Sequence, residues 1–177
     1  PVQVTSIPAQ AGLLGSNVTL RYDYLAPGFS TDTIAVGAGI EVTCTGGGTG
    51  NANVCAALTA ATQTIDIGDS TIGYAYVGDH TSGFNNVVPN GMAFLGLDAA
   101  GAIVGVDLST SISGLDGSRV SFTANSVTID LHGLTMGTSG SFALALRTEA
   151  PEPATALLVL PALGALAAAR RRRAAAR

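Results

Sequence analysis

Apolar and polar residues alternate along most of this chain. In "NVTLRYDY", Val18, Leu20, Tyr22 and Tyr24 fall on one side, and Thr19, Arg21 and Asp23 on the other. A period of two is the signature of a strand with one buried face. "TIDIGDSTIGYAY" contains two such runs around a turn at Gly68–Thr71. If Ile67 lies opposite Ile72, then Ile65 meets Tyr74 and all four side chains share one face. "RVSFTANSVTIDLH" reads as a second hairpin, with Asn125-Ser126 at its tip. That register pairs Ala124 with Val127, Phe122 with Ile129 and Val120 with Leu131, and Asn125 suits the positive φ of a tight turn. Further strands are expected in "TIAV", "GIEVT", "MAFLGL", "AIVGVDL" and "SFALALR", separated by Gly-, Asp-, Ser- and Asn-rich turns. Many short strands at close spacing predict an all-β fold, an antiparallel β-sandwich of jelly-roll-like or Ig-like double-sheet type.

The alternation stops near residue 150. Ala154–Ala169 is a run of 16 residues without a charge, interrupted only by Thr155, Pro161 and Gly164. It is slightly shorter than the ~20 residues that span a bilayer comfortably, and it is read as a C-terminal hydrophobic helix. Arg170, Arg171, Arg172 and Arg173 follow at once. Each costs ~2.5–3.5 kcal/mol at the bilayer centre, so together they act as a stop-transfer cluster that stays cytoplasmic. The chain therefore divides into a β-sandwich body, residues 1–149, and a C-terminal appendage, residues 150–177.

Charge follows the same division. Residues 1–150 carry three arginines against eleven acids, a net of −8, whereas residues 151–177 carry five arginines against Glu152, a net of +4. An acidic body with scattered arginines has no electrostatic footprint for a phosphate backbone, which excludes nucleic acid as a partner. The opening "PVQVTSIPAQ" has no initiating methionine, basic region or apolar core. If the appendage means export, a signal peptide is expected to have been removed before this numbering begins.

Several constellations bear on chemistry. Cys44 and Cys55 bracket the glycine-rich "TGGGTGNANV". A disulfide closing this loop is favoured over free thiols, and over a metal site, because His80 and His132 lie in unrelated runs. The bond would contribute ~3 kcal/mol in the chain-entropy model and implies an oxidising compartment. The loop lacks the Lys-Ser/Thr ending and following helix of a phosphate cradle. Ser70 in "GDST", with Asp130 and His132 in "DLH", offers the residue types of a hydrolase. Their turn and strand positions favour plain surface roles, so no catalytic residues are expected. Asp66, Asp69, Asp79, Asp98, Asp107 and Asp116 sit at or near turns, where Asp bonds the local backbone. Calcium held by such loops is an alternative without an assignable ligand set, and otherwise no cofactor or metal is expected. The pairs Tyr22/Tyr24 and Tyr74/Tyr76 read as core-edge packing, with sugar stacking as the alternative. Asn17-Val18-Thr19 is a formal glycosylation sequon, treated as chance in a predicted strand. Val2, Val4 and Ile7 alternate in an N-terminal segment that is either the body's own edge strand or an arm completing a neighbour's sheet.

Pro151-Glu152-Pro153, the apolar span and the arginine cluster, in that order and spacing, resemble a PEP-CTERM sorting signal. The departures are Ala150 before the motif, Pro161 within the span and "AAAR" after Arg173. The resemblance implies a bacterium with a two-membrane envelope and an exopolysaccharide-producing habit. It also implies recognition of Pro151, Glu152 and Pro153 by an exosortase, a membrane protease-transpeptidase. The protein would be anchored transiently in the inner membrane, cut near the motif, and passed to the cell surface or the extracellular matrix. The resulting expectation is an exported, non-enzymatic structural or adhesive component, for instance of a biofilm. The alternatives are a carbohydrate- or calcium-binding matrix module and a self-associating filament subunit that uses the N-terminal arm.

Overall fold

The computed structural model describes residues 12–149. The N-terminal segment with Val2, Val4 and Ile7, the sorting motif, the C-terminal hydrophobic helix and the stop-transfer arginines lie outside the described residues. Within them the chain is built from antiparallel strands. These are β1 (Asn17–Tyr24), β2 (Ala26–Ala35), β3 (Ile40–Gly46), β4 (Thr49–Gly50), β5 (Gln63–Ile67), β6 (Thr71–Val77) and β7 (Ser82–Gly83). They continue with β8 (Asn90–Leu95), β9 (Ile103–Thr110), β10 (Val120–Thr123), β11 (Ser126–Asp130), β12 (Thr135–Met136) and β13 (Ser139–Thr148). Short 3₁₀ turns are the only helical elements among the described residues. A five-stranded sheet has the order β10-β11-β8-β1-β2, and a six-stranded sheet the order β4-β3-β5-β6-β13-β9.

The inward faces of the two sheets meet in one apolar core. Val18, Leu20 and Phe94 come from the first sheet and Ile65, Ile67, Ile72 and Leu144 from the second, all buried in the same cluster. More exposed residues alternate with them along β1, β5, β6 and β13, which is why the period-2 reading located these faces, whereas β8 is buried on both faces. The first predicted hairpin forms as read: Ile67 pairs with Ile72 and Ile65 with Tyr74. The second forms in a different register. Val120 pairs with Ile129, Phe122 with Val127 and Thr123 with Ser126, so the tip is Ala124-Asn125 rather than Asn125-Ser126.

Hydrogen bonds from outside the hairpin explain the shift. The Ala124 and Asn125 carbonyls accept the N–H groups of Ile103 (2.8 Å) and Leu97 (2.9 Å). The Asn125 side chain also donates to Asp98 (3.1 Å). Asn125 does not adopt a positive φ; among described non-glycine residues only Leu25 does. A shift of two keeps every side chain on its predicted face, but it leaves Phe122 opposite Val127 on an edge strand, 45% exposed.

Cys44 and Cys55 form the expected disulfide, with Cα atoms 5.1 Å apart. It ties the end of β3 to the 3₁₀ turn at Asn53–Ala56. Gly50 lies against it: a Cβ there would collide with the Cys55 sulfur and the Thr43 carbonyl. Tyr22, Tyr74 and Tyr76 belong to the core. The Tyr74 ring stacks on Phe142 at 5.2 Å, and its hydroxyl donates to Gln63 Oε1 (2.6 Å). Tyr22 donates to Asn90 Oδ1 (2.7 Å).

Two expected outcomes test this packing. Replacing Cys44 and Cys55 together by Ser should lower stability by ~3 kcal/mol, measured by urea denaturation, because the unfolded chain regains the entropy of the open loop. A change below about 1 kcal/mol would show that the loop closure contributes little. The second outcome concerns alkali. Burial, with a smaller contribution from Tyr24, pushes the Tyr22 phenol far above its ordinary value. Burial, with Tyr22 and Tyr76, does the same to Tyr74. The folded state thus favours the neutral phenols. The stability they contribute is complete below pH ~10 and is lost as pH rises beyond it toward the folded values. In a phenolate-absorbance titration, Tyr22 and Tyr74 should ionise only as near-UV circular dichroism collapses. Four tyrosines titrating together with the dichroism intact would contradict the packing.

Candidate functional site

The residue types that sequence alone singled out for hydrolysis are placed on different sheets. Ser70 sits exposed in the β5–β6 turn of the six-stranded sheet, where its carbonyl accepts the Leu146 N–H (2.8 Å). Asp130 ends β11 in the other sheet. His132 Nδ1 lies 2.7 Å from Asp130 Oδ1, and the His132 backbone N–H donates to the same oxygen (3.1 Å). Arg119 donates to the His132 carbonyl (3.0 Å) and approaches Asp130 Oδ2 at 3.8 Å. Partial burial disfavours the ionised Asp130. The bonds from the His132 ring and backbone, with the His132 and Arg119 charges, outweigh it and hold the carboxyl below its ordinary range. The cluster therefore fixes the chain as it leaves β11.

The aspartates expected at turns act singly. Asp116 accepts the Ser118 N–H (2.8 Å) within its own turn, whereas Asp107 lies inside β9 and pairs with Arg147 on β13 (3.1 Å). Among the described residues, no group of three or more His, Cys, Asp or Glu side chains gathers as metal ligands would. The tyrosine pairs do not form a stacking face: Tyr22, Tyr74 and Tyr76 are buried, and only Tyr24 is half-buried at the surface.

One pole of the body does bring polar and aromatic groups together, around a cavity of about 510 Å³. The end of β1, the starts of β2, β5 and β8, and the loops holding β7 and Ala56–Ala60 converge there. A buried carboxylate shapes its rim. Asp23, 6% exposed, pairs with the Arg21 guanidinium, accepting from Nη2 (2.9 Å) with Nε 2.8 Å away, and also accepts the Gly28 N–H (2.7 Å). Gly28 has φ 74°, a conformation that glycine adopts without steric cost. The β1–β2 ladder slips between Tyr22 and Tyr24, and Leu25 next to it holds φ 60°. A bulge re-aims the side chains beside it. Here the result is Tyr24 and the 57%-exposed Phe29 in edge-to-face contact at 5.6 Å on the rim. Gln63 and Asn90, each 2% exposed, form part of the wall, and Asn85 donates to the Tyr24 hydroxyl (3.0 Å). Sequence reading missed Phe29, Gln63, Asn85 and Asn90. The one available signal was a large aromatic directly after Pro27-Gly28, in a segment that reads as a turn.

The opposite pole receives both ends of the described chain. Gly12 donates to the Ala99 carbonyl and Glu149 to the Ala102 carbonyl, each at 2.9 Å. No helix among the described residues is long and apolar enough to cross a membrane. Comparison with curated proteins and with solved structures finds no match. Comparison with protein families finds one, over residues 149–173. A motif of this kind is recognised by exosortase, a membrane protease, and marks an exported protein anchored in the membrane before processing. Residues 149–173, which contain Pro151-Glu152-Pro153, the apolar span and the arginine cluster, thus match a PEP-CTERM protein-sorting motif.

Proposed function

We propose that this chain is a non-enzymatic structural or adhesive component of the cell surface or extracellular matrix. The observation that carries the reading is the sorting motif over residues 149–173. Pro151 and Pro153 resist helix and favour extended backbone around Glu152, the form that a protease groove accepts. The uncharged run Ala154–Ala169 would park the chain in the inner membrane, and Arg170–Arg173 would stop it there. The body supports the same destination. Its two sheets read as a sandwich, and its disulfide suits an oxidising space outside the cytoplasm. No cofactor is part of this reading.

Intact mass of the native protein, recovered from cells and from medium, tests it. The mature form should lack the mass of the appendage from near Pro151 onward. Glu152→Ala should accumulate a membrane-bound form that retains the appendage. A wild-type species with its appendage intact, found only in soluble cytoplasm, would sink the proposal.

A further inference from the structure

The geometry points to the cavity pole as a binding groove for an uncharged polysaccharide chain, gripped by stacking on Tyr24 and Phe29. A second, shallower depression of about 590 Å³ shares Phe29 and Ala56 with the cavity and continues past Gly48–Gly50 and Asn53. Phe29 therefore stands as a ridge between two adjoining hollows. An extended, subdivided groove fits a chain of similar units better than a single small molecule.

Its chemistry narrows the class. No Asp, Glu, Lys or Arg lines either hollow, and His80 is the one titratable imidazole. A lining without countercharge, on a body of net charge −8, gives an anionic polymer nothing to pair with. What the lining offers outward is the exposed Asn85 and Asn53 amides, hydroxyls, the exposed Phe29 ring and the half-buried Tyr24 ring. Pyranose rings present a C–H face that packs on an aromatic ring and hydroxyls that exchange hydrogen bonds with amides. The Tyr24 hydroxyl accepts from Asn85, so its own hydrogen can be donated outward.

The rim is also pre-ordered. The Arg21–Asp23–Gly28 clamp buries a carboxylate to fix the turn that carries Phe29. The left-handed Leu25, N–H bonded to the Pro89 carbonyl (2.9 Å), joins this turn to the approach of β8. A non-glycine residue in that conformation is strained and persists only where surrounding structure enforces it. Here that strain falls beside the two aromatic rings. An aromatic edge fixed before binding loses less entropy when a ligand arrives.

The test is affinity electrophoresis of the full chain in mild detergent, in native gels containing hydroxyethylcellulose, galactomannan or dextran, with alginate as the anionic comparison. At least one neutral polymer should retard the protein, and oligosaccharides of the same polymer should reverse the effect. Phe29→Ala should weaken binding about tenfold and Tyr24→Phe by a smaller factor, consistent with the size of an aromatic contact and of one hydrogen bond. Leu14→Ala, exposed at the opposite pole, should bind as wild type. Unchanged thermal melting would confirm that the variants fold. Retardation by none of the neutral polymers, by alginate alone, or equally with and without Phe29 would overturn the proposal. None of these results bears on the sorting reading, which is decided by mass.

Discussion

A phenol taken out of water must find a hydrogen-bond partner, and this constraint decides which pole of the molecule is polar. Tyr22 and Tyr74 are drawn inward by the alternation that builds β1 and β6, and both bury their rings. Each hydroxyl is then satisfied by an amide on the adjacent strand, Asn90 for Tyr22 and Gln63 for Tyr74. Those amides begin β8 and β5, at the same end of the body. Two pairs, one in each sheet, thus set neutral polar groups against the core where strands give way to loops. The cavity forms above them, with these paired amides as part of its wall.

The core faces were legible because burial has a period. Val18, Leu20 and Tyr22, or Ile65, Ile67, Ile72 and Tyr74, announce one face each, and a one-residue slip would put all of them in water. The 120–131 hairpin shows where that logic stops. Alternation distinguishes odd from even registers but not registers two apart. The choice was made by the N–H groups of Leu97 and Ile103, which need the tip carbonyls of Asn125 and Ala124. Nothing in the local sequence carries that demand. The early part of β2 was invisible for a related reason: on an exposed edge beside β1, residues 26–32 have no buried face to imprint a pattern.

The candidate groove was least legible because no single segment contains it. Tyrosines at period two looked like the natural aromatic surface, yet period two is what turns them into the core. The exposed aromatic surface comes instead from Phe29, just after Gly28 and six residues after the buried Asp23 that clamps the turn. A buried charge within a strand is visible in sequence only as one more polar residue on the polar face. Its meaning appears when Arg21 and the Gly28 N–H are seen to converge on it.

The topology separates the two ends of this molecule's working life. Strand β13 runs from Ser139, beside Val77 at the cavity pole, to Thr148, beside Ile103 at the far pole. Ten residues at ~3.3 Å each make that a traverse of about 30 Å. The sorting motif begins at residue 149, immediately after the strand ends. Cleavage beyond Glu149 therefore removes no residue that lines the cavity, and the Glu149 bond to Ala102 belongs to the pole farthest from it. Removing residues 151–177 also takes away a net +4, so the form left outside is more acidic than the precursor. An uncharged lining is then consistent with a strongly charged body. On the proposed reading, the carboxylates would hold the exported protein apart from anionic surroundings, while the groove would select by shape and neutral hydrogen bonding.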